Sequence, residues 1–286
     1  MHENYKSTIK QFVPELSIRS FTYLGEGEDN LAFEVNDDLI FRFTKQDHEA
    51  LEREVAILRF VRALSPLPVP VPVYDQIGQG FIGYQKLPGV PLIKVMDQVD
   101  VRQWPRFATQ LADFLSVMNG AEVSPIKNSL EGDAESLETW QTESQEFFAK
   151  GRHVIPQSYH ESIQAFLSTS APEGSFTPVF AHNDLGIEHI LVDPAARQIT
   201  GIIDWGDAAL ADPAYDFGKI FRDLGVEVFQ AVLHAYKMKS DPSLAKRAAF
   251  YARCGVLEDV VYGLERQSDR YIKKCLAALP WLFHEK

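Results

Sequence analysis

Four prolines within residues 65–72, in "SPLPVPVPVYDQ", set the hardest limit on how this chain folds. A proline inside a helix lacks the N–H donor and clashes with the preceding turn, and the residue before it is pushed toward extended geometry. The segment is therefore extended, and any helix before it must end. Such a helix is written in "DHEALEREVAILRFVRALS", where Leu51, Val55, Leu58 and Val61 recur at helical spacing. Upstream, residues 18–43 alternate apolar and polar around two turns, "GEGEDN" and "NDD", as strands do. Downstream, residues 81–87 read as one more strand, closed by Pro88-Gly89. The first ninety residues thus predict a small sheet packed on one helix.

After Pro91 the period changes. Phe107, Leu111, Phe114, Leu115 and Met118 make an amphipathic helix that ends at Gly120. "SLETWQTESQEFFAKGR" and "SYHESIQAFLSTS" predict two more. Short strands are expected at 179–181, 190–192 and 199–203, and the chain is helical from Asp216 onward. The expected boundary divides residues 1–88 from 89–286, with no repeats and no low-complexity linker. A chain of 286 residues, 45% hydrophobic, suffices for two small domains or one large one.

A net charge of −12 argues against a nucleic-acid partner, because phosphate-backbone affinity needs clustered Lys and Arg. Cys254 and Cys275 form no CxxC pair and predict reduced, buried thiols. "MHENYKSTIKQF" has no basic region leading into an apolar run, and no stretch approaches the roughly 18 apolar residues of a membrane span. The expectation is a cytoplasmic protein with no membrane partner, and a monomer.

The chemistry concentrates in residues 179–217, "VFAHNDLGIEHILVDPAARQITGIIDWGDAALADPAYDF". His182, Asp184 and His189 lack the i, i+4 spacing of a zinc helix. No GxSxG elbow offers a hydrolase nucleophile. Phosphoryl transfer uses more of the residues. It needs a carboxylate to orient the acceptor hydroxyl and oxygen ligands that hold magnesium against nucleotide phosphates. Asp184 follows one strand and Asp204 another, and the turn "DPAARQ" between them predicts a hairpin that brings their loops together.

"HNDLGIEHIL" followed by "IIDWGDAALADPAYDF" resembles the catalytic core of the aminoglycoside phosphotransferase family, the 2'' enzymes more than the 3' enzymes. The resemblance covers most of the chain. It implies an α+β, bilobal, protein-kinase-like fold, with a small antiparallel-sheet N-lobe and a mostly helical C-lobe. It implies Mg2+ and ATP or GTP as co-substrate. Asp184 matches the catalytic base, and Asp204 the magnesium-binding Asp of the kinase DFG motif. His189 stands where many members carry a magnesium-binding Asn, although imidazole is a less natural magnesium ligand than an amide oxygen. His182 is expected to order the loop. Asp216 either braces it or caps the following helix.

The resemblance also asks for a phosphate-covering turn, a cation and a helical acid. Gly25, Gly27 and Asn30 supply the turn. Arg42 takes the place where most antibiotic kinases have Lys; Lys45 has opposite strand parity. Glu54, rather than Glu52, is its expected partner. The Gln85 carbonyl and the Leu87 amide are expected to meet the purine, with Tyr84 behind it. For the acceptor, Asp207, Asp223 and Glu258 are the candidates beside Asp184, with Asp259 as neighbour. "GKIFRDLGVEVF" departs from the family by placing Lys219 and Arg222 where the 2'' enzymes run acidic.

The implied activity is transfer of a γ-phosphate to a hydroxyl of an aminoglycoside antibiotic, giving resistance. A macrolide kinase would use apolar walls, for which Phe221, Tyr251, Tyr262, Trp281 and Phe283 are candidates. A choline- or sugar-type metabolite kinase is the other alternative. A pseudokinase is disfavoured by the presence of both Asp184 and Asp204.

Overall fold

The computed structural model describes residues 3–27, 30–45, 48–130, 132, 135–193, 195, 197–238 and 241–283. Five antiparallel strands form the first sheet: β1 (Phe21–Glu26), β2 (Asn30–Val35), β3 (Leu39–Thr44), β4 (Pro72–Gln76) and β5 (Phe81–Gln85). Their spatial order is β1-β2-β3-β5-β4. The β2–β3 turn has Asn36 and Asp37 at φ 57° and 67°. Two consecutive left-handed residues match the strand twist, and Asn and Asp tolerate them better than most. Asn36 Oδ1 also accepts from the Arg19 N–H at 2.7 Å, which fixes the chain's entry into β1.

Strand parity sorts β3 onto two faces. Leu39, Phe41 and Phe43 pack with Phe33, Val35 and Phe81 on one side. Ile40 packs on the other with Ile82, Tyr84 and the apolar stripe of α2 (His48–Leu64). The structure corrects the single-helix expectation. A further helix, α1 (Glu3–Phe12), covers the first face through Ile9, which is fully buried, and Tyr5, whose ring lies 4.8 Å from Phe43. A sheet with aromatic residues on both faces needs two covers, since each such side chain gains about 1.5–3 kcal/mol by leaving water. The proline segment runs extended into β4, and the Pro68 carbonyl accepts from the Ile202 N–H at 2.9 Å.

The remainder is helical around short strands. Its helices are α3 (Trp104–Asn119), α4 (Leu137–Gly151), α5 (His160–Ser168), α6 (Ala214–Ala235), α7 (Leu244–Glu265) and α8 (Asp269–Phe283). Ser136 caps α4 by accepting from the Thr139 N–H at 3.1 Å. Between them lie β6 (Val90–Pro91), β7 (Val179–Ala181), β8 (Ile190–Val192), β9 (Ile199–Ile202) and β10 (Ala209–Ala211). β10 was not legible as a strand. Its three residues are too few to show alternation, and pairing with β7 defines it. β8 and β9 form the expected hairpin, Ile190 facing Ile202; Pro194 and Ala196 of its turn lie outside the described residues.

The core beneath is built on Phe107, Phe114, Phe180, Trp205 and Phe217, all buried. Arg247, also buried, is forked onto Asp212 at 2.6 and 2.8 Å and reaches Asp241 at 2.8 Å. A buried guanidinium without such partners would be strongly destabilising. Both cysteines are buried and reduced. Among the described residues no helix is long and apolar enough to cross a membrane.

The joining segment is fixed at Gly89, whose φ is 111°. A Cβ there would meet Thr200 Oγ1 and the Val192 carbonyl oxygen, each at 2.4 Å. Thr200 Oγ1 donates to the Pro88 carbonyl at 2.6 Å. The chain leaving β5 is thereby seated on the β8–β9 hairpin that carries Asp204 at its exit.

Candidate active site

A cavity of about 980 Å³ opens between the first sheet, α2 and the helices α6–α8. At one end it is lined by Gly27, Asn30, Arg42 and Glu54. Arg42 shares the Ile40 face of β3, so parity aims it inward toward α2. Its guanidinium pairs with buried Glu54 and lies 3.2 Å from Asp204 Oδ1. Burial works against its charge, but Glu54 and Asp204 more than offset that and raise its pKa. Lys45 instead donates to the Gly27 carbonyl at 2.8 Å and lies 3.3 Å from Glu26, over the glycine turn.

Gly25, at φ 149° beside a register shift in β1, shapes that turn but does not line the cavity. Glu28 and Asp29 lie outside the described residues. Gln85 and Leu87 are also absent from the lining. Gln85 is the exposed end of β5, and Leu87 lies within reach of Gly201. Tyr84 is buried behind them, and burial pushes its phenol up to about 12.

The middle of the cavity is the loop after β7. The Asp216 carboxylate accepts from the His182 N–H at 2.9 Å. His182 Nε2 donates to the Ile203 carbonyl at 3.0 Å, leaving Nδ1 to accept from the Asp184 N–H at 3.3 Å. Burial, reinforced by His189, drops the His182 pKa to about 4, so the ring is neutral and its tautomer follows from these bonds. Burial raises the Asp216 pKa to about 7. Asp216 is thus a brace beneath the loop and lines no part of the cavity.

Asp184 is held from two sides. Lys219 Nζ lies 2.8 Å from Oδ1, and His189 Nδ1 lies 3.2 Å from Oδ2. Burial alone would raise its pKa, but Lys219 and then His189 hold it well below the usual carboxylate range. The other ring nitrogen of His189, Nε2, is 3.6 Å from Asp204 Oδ2. Burial opposes the charge on His189, but Asp184 and Asp204 outweigh it and raise its pKa to about 10. Asp204 itself adopts φ 65°, a left-handed conformation uncommon outside glycine, which turns its side chain back toward His189.

The other end is lined by Asp207, Tyr215, Lys219, Glu258, Asp259, Tyr262 and Tyr271. Burial raises the Glu258 pKa, with Lys219 pulling the other way. Asp223, expected at the acceptor, does not line the cavity. It is buried, lies 2.7 Å from Arg222 Nε, and accepts from the Ile187 N–H at 3.2 Å. Asp259 faces Arg222 at 3.1 Å and Lys274 at 2.8 Å, and Lys274 reaches Glu188 at 3.3 Å. Arg222 is therefore a buried counter-ion and not a surface cation. Of the five aromatics expected to wall an apolar pocket, Tyr262 lines the cavity. Phe221, Tyr251, Trp281 and Phe283 pack in the core or against it.

Sequence reasoning missed the roles of Lys219, Glu188 and Lys274. Lys219 follows Asp216 by three helical positions, which puts both on one face of α6. Lys274 lies far along the chain from Glu188, and no local pattern announces that pairing.

A metal held jointly with a nucleotide suits these donors. Magnesium takes one or two carboxylates and completes its shell with phosphate oxygens and waters. Asp204, about half exposed, faces the cavity beside His189 Nε2. No cluster of three metal-ligating side chains occurs among the described residues.

A sheet-and-helix cover over a loop carrying one aspartate, opposite a hairpin exit carrying a second, is the protein-kinase-like arrangement of phosphotransferases. The profile of the phosphotransferase enzyme family (APH) matches residues 20–250, so the chain belongs to that family and is a phosphotransferase. It is 25% identical over 243 residues to the uncharacterized protein YcbJ of Bacillus subtilis (strain 168), covering 81% of this chain and 78% of that one. Among solved structures it resembles APH(2")-IIia in complex with GDP and kanamycin, at 25% identity and a TM-score of 0.76, covering 96% and 97% of the two chains. It is 26% identical to wild-type aminoglycoside 2'-phosphotransferase-IIIa in its GDP complex, with a TM-score of 0.73 and 96% of both chains covered. Macrolide 2'-phosphotransferase MphH from Brachybacterium faecium shares the fold at 19% identity and a TM-score of 0.62, over 96% and 98%.

Proposed function

We propose that the protein transfers the γ-phosphate of ATP or GTP to a hydroxyl of an aminoglycoside-type antibiotic. The observation that carries this reading is the Asp184–His189–Asp204 chain in a cavity that ends on the Arg42–Glu54 pair. Residues 1–88 act as the nucleotide lobe and 89–286 as the lobe of the catalytic loop and acceptor. Gly27, Asn30 and Arg42 face the phosphates. The Gln85 carbonyl and the Leu87 amide meet the purine at the rim beyond Tyr84. The likeness to GDP-bound neighbours supports a nucleotide co-substrate. On this reading the enzyme works in the cytoplasm, where nucleoside triphosphates are made, and as a monomer.

Asp204 would hold Mg2+, which neutralises charge on the phosphates when bound; His189 would join it as a ligand only after losing the proton that Asp184 and Asp204 stabilise on its ring. Asp184 accepts a hydrogen bond from the acceptor hydroxyl and aligns it with the phosphorus. Held by Lys219 and His189, Asp184 is a weak base. That suits a loose transition state, in which the hydroxyl proton leaves late. Glu258 and Asp207 face the acceptor.

One observation favours a second reading, a less cationic acceptor such as a macrolide. Much of the acidity near the acceptor end is already neutralised: Asp223 and Asp259 by Arg222 and Lys274, and Glu188 by Lys274. Tyr215, Tyr262 and Tyr271 line the same end.

A coupled nucleotide-turnover assay with ATP and GTP, against aminoglycosides, macrolides, choline and sugar alcohols, separates these readings. Turnover with aminoglycosides is the expected result. Turnover with macrolides alone rejects that acceptor, and turnover with none points to a different metabolite.

A further inference from the structure

Lys219 is the least explained charge in the cavity. Its side chain is one-tenth exposed, and its Nζ lies 2.8 Å from Asp184 Oδ1. An ammonium carries three donors. Among the described residues the bond to Asp184 is the one hydrogen bond Lys219 makes; the Tyr215 ring, 5.1 Å away, offers its face. This nine-tenths buried cation lines the cavity and has donor capacity beyond its bond to Asp184. A largely desolvated cation on the cavity wall, already touching Asp184, is well placed to stabilise an anion that arrives with substrate.

The chemistry says which anion. An acceptor hydroxyl aligned by Asp184 sits about 2.6–3.2 Å from its carboxylate. The phosphorus under attack then lies about 3–3.5 Å from that hydroxyl. A lysine already touching Asp184 is within a rotamer change of the phosphoryl oxygens. We propose that Lys219 is a catalytic cation that bridges Asp184 and the phosphoryl group during transfer. In that step the bond from acceptor oxygen to phosphorus forms and the β–γ bridging bond breaks. The nucleoside diphosphate leaves with the bridging oxygen, and the hydroxyl proton passes to Asp184. Charge spreads over the three equatorial oxygens, where a positioned cation is worth most.

This inference rests on the phosphoryl-transfer reading, and one binding experiment tells the two apart. The full-length protein is titrated with Mg·GDP and with Mg·ADP, each with and without aluminium fluoride, a planar mimic of the phosphoryl in flight. Wild type, Lys219→Met and Lys219→Arg are compared, with thermal melting to verify folding. Wild type should bind the preferred diphosphate far more tightly when fluoride is present. In Lys219→Met that gain should fall by about a hundredfold, the scale of one lost transition-state donor. Affinity for the diphosphate alone should stay within about twofold, since its phosphates are left untouched by this donor. Lys219→Arg should recover part of the gain. A Lys219→Met protein that melts normally and keeps the full gain overturns the inference and leaves Lys219 a counter-ion of Asp184. A wild type that binds neither diphosphate, or gains nothing from fluoride, overturns the phosphoryl-transfer reading itself.

Discussion

Arg42 Nη2 lies 3.2 Å from Asp204 Oδ1, joining the middle strand of the first sheet to the exit of the β8–β9 hairpin. With Glu54 on its other side, one side chain spans the sheet, α2 and the catalytic half. A lysine, with a single charge point, cannot fork this way.

Replacing Arg42 with Ala should therefore do two things. It removes the cation facing buried Glu54, which should lower stability, as read by denaturant unfolding. It should also raise the nucleotide KM more than it lowers kcat. A stable variant with an unchanged KM would move the phosphate role to Lys45, which lies over the glycine turn.

Asp184→Asn keeps the shape of the loop but removes the charge that orients the hydroxyl. Transfer should fall by about 10²–10⁴-fold, the usual range for a lost acid–base group. Nucleotide affinity, measured by calorimetry, should change little. Full activity in this variant would remove Asp184 from the mechanism.

Much of this site was legible before the structure. The family resemblance pointed to Arg42, and strand parity set Lys45 on the other face, because a period of two fixes the face. The hairpin between Asp184 and Asp204 followed from a turn flanked by two apolar triplets. What stayed hidden depends on long-range neutralisation. Asp223 and Arg222 look like surface charges on a helix, and their burial is decided by α7 and α8 through Asp259 and Lys274. Helix α1 was hidden because its value lies in the Phe33 and Phe43 face it covers, not in its own ten residues.

Asp216 carries a pH prediction. Its folded pKa is raised to about 7 by burial, above the ordinary 3.8. The folded state therefore binds a proton that the unfolded chain has released between those values. The stability it contributes is fully present below pH 4 and is lost as pH rises through 7. Asp216→Asn keeps an oxygen to accept from the His182 N–H and removes the titration. The stability difference between variant and wild type should shift toward the variant by about 1.4 kcal/mol per pKa unit across that window. Urea midpoints at pH 4.5, 6 and 8 measure it, and parallel curves would assign the slope to other groups.

Gly89→Ala tests the joint between the two halves. The residue holds φ 111°, where a Cβ is strained before any contact is counted, at about 1–3 kcal/mol. The added methyl would also press on Thr200 Oγ1 and on the Val192 carbonyl, both 2.4 Å from the ideal Cβ position. Thr200 can rotate away, at the loss of its 2.6 Å bond to the Pro88 carbonyl; the Val192 backbone cannot move without shifting β8. That strand follows His189 directly, and its partner β9 leads to Asp204. The variant should melt several degrees lower, and its nucleotide KM should rise although no cavity residue has changed. Thr200→Ala removes the bond without the clash and should lower the melting temperature less, with KM near wild type. Equal effects from the two substitutions would show that the bond, and not the close backbone approach at Gly89, sets the joint.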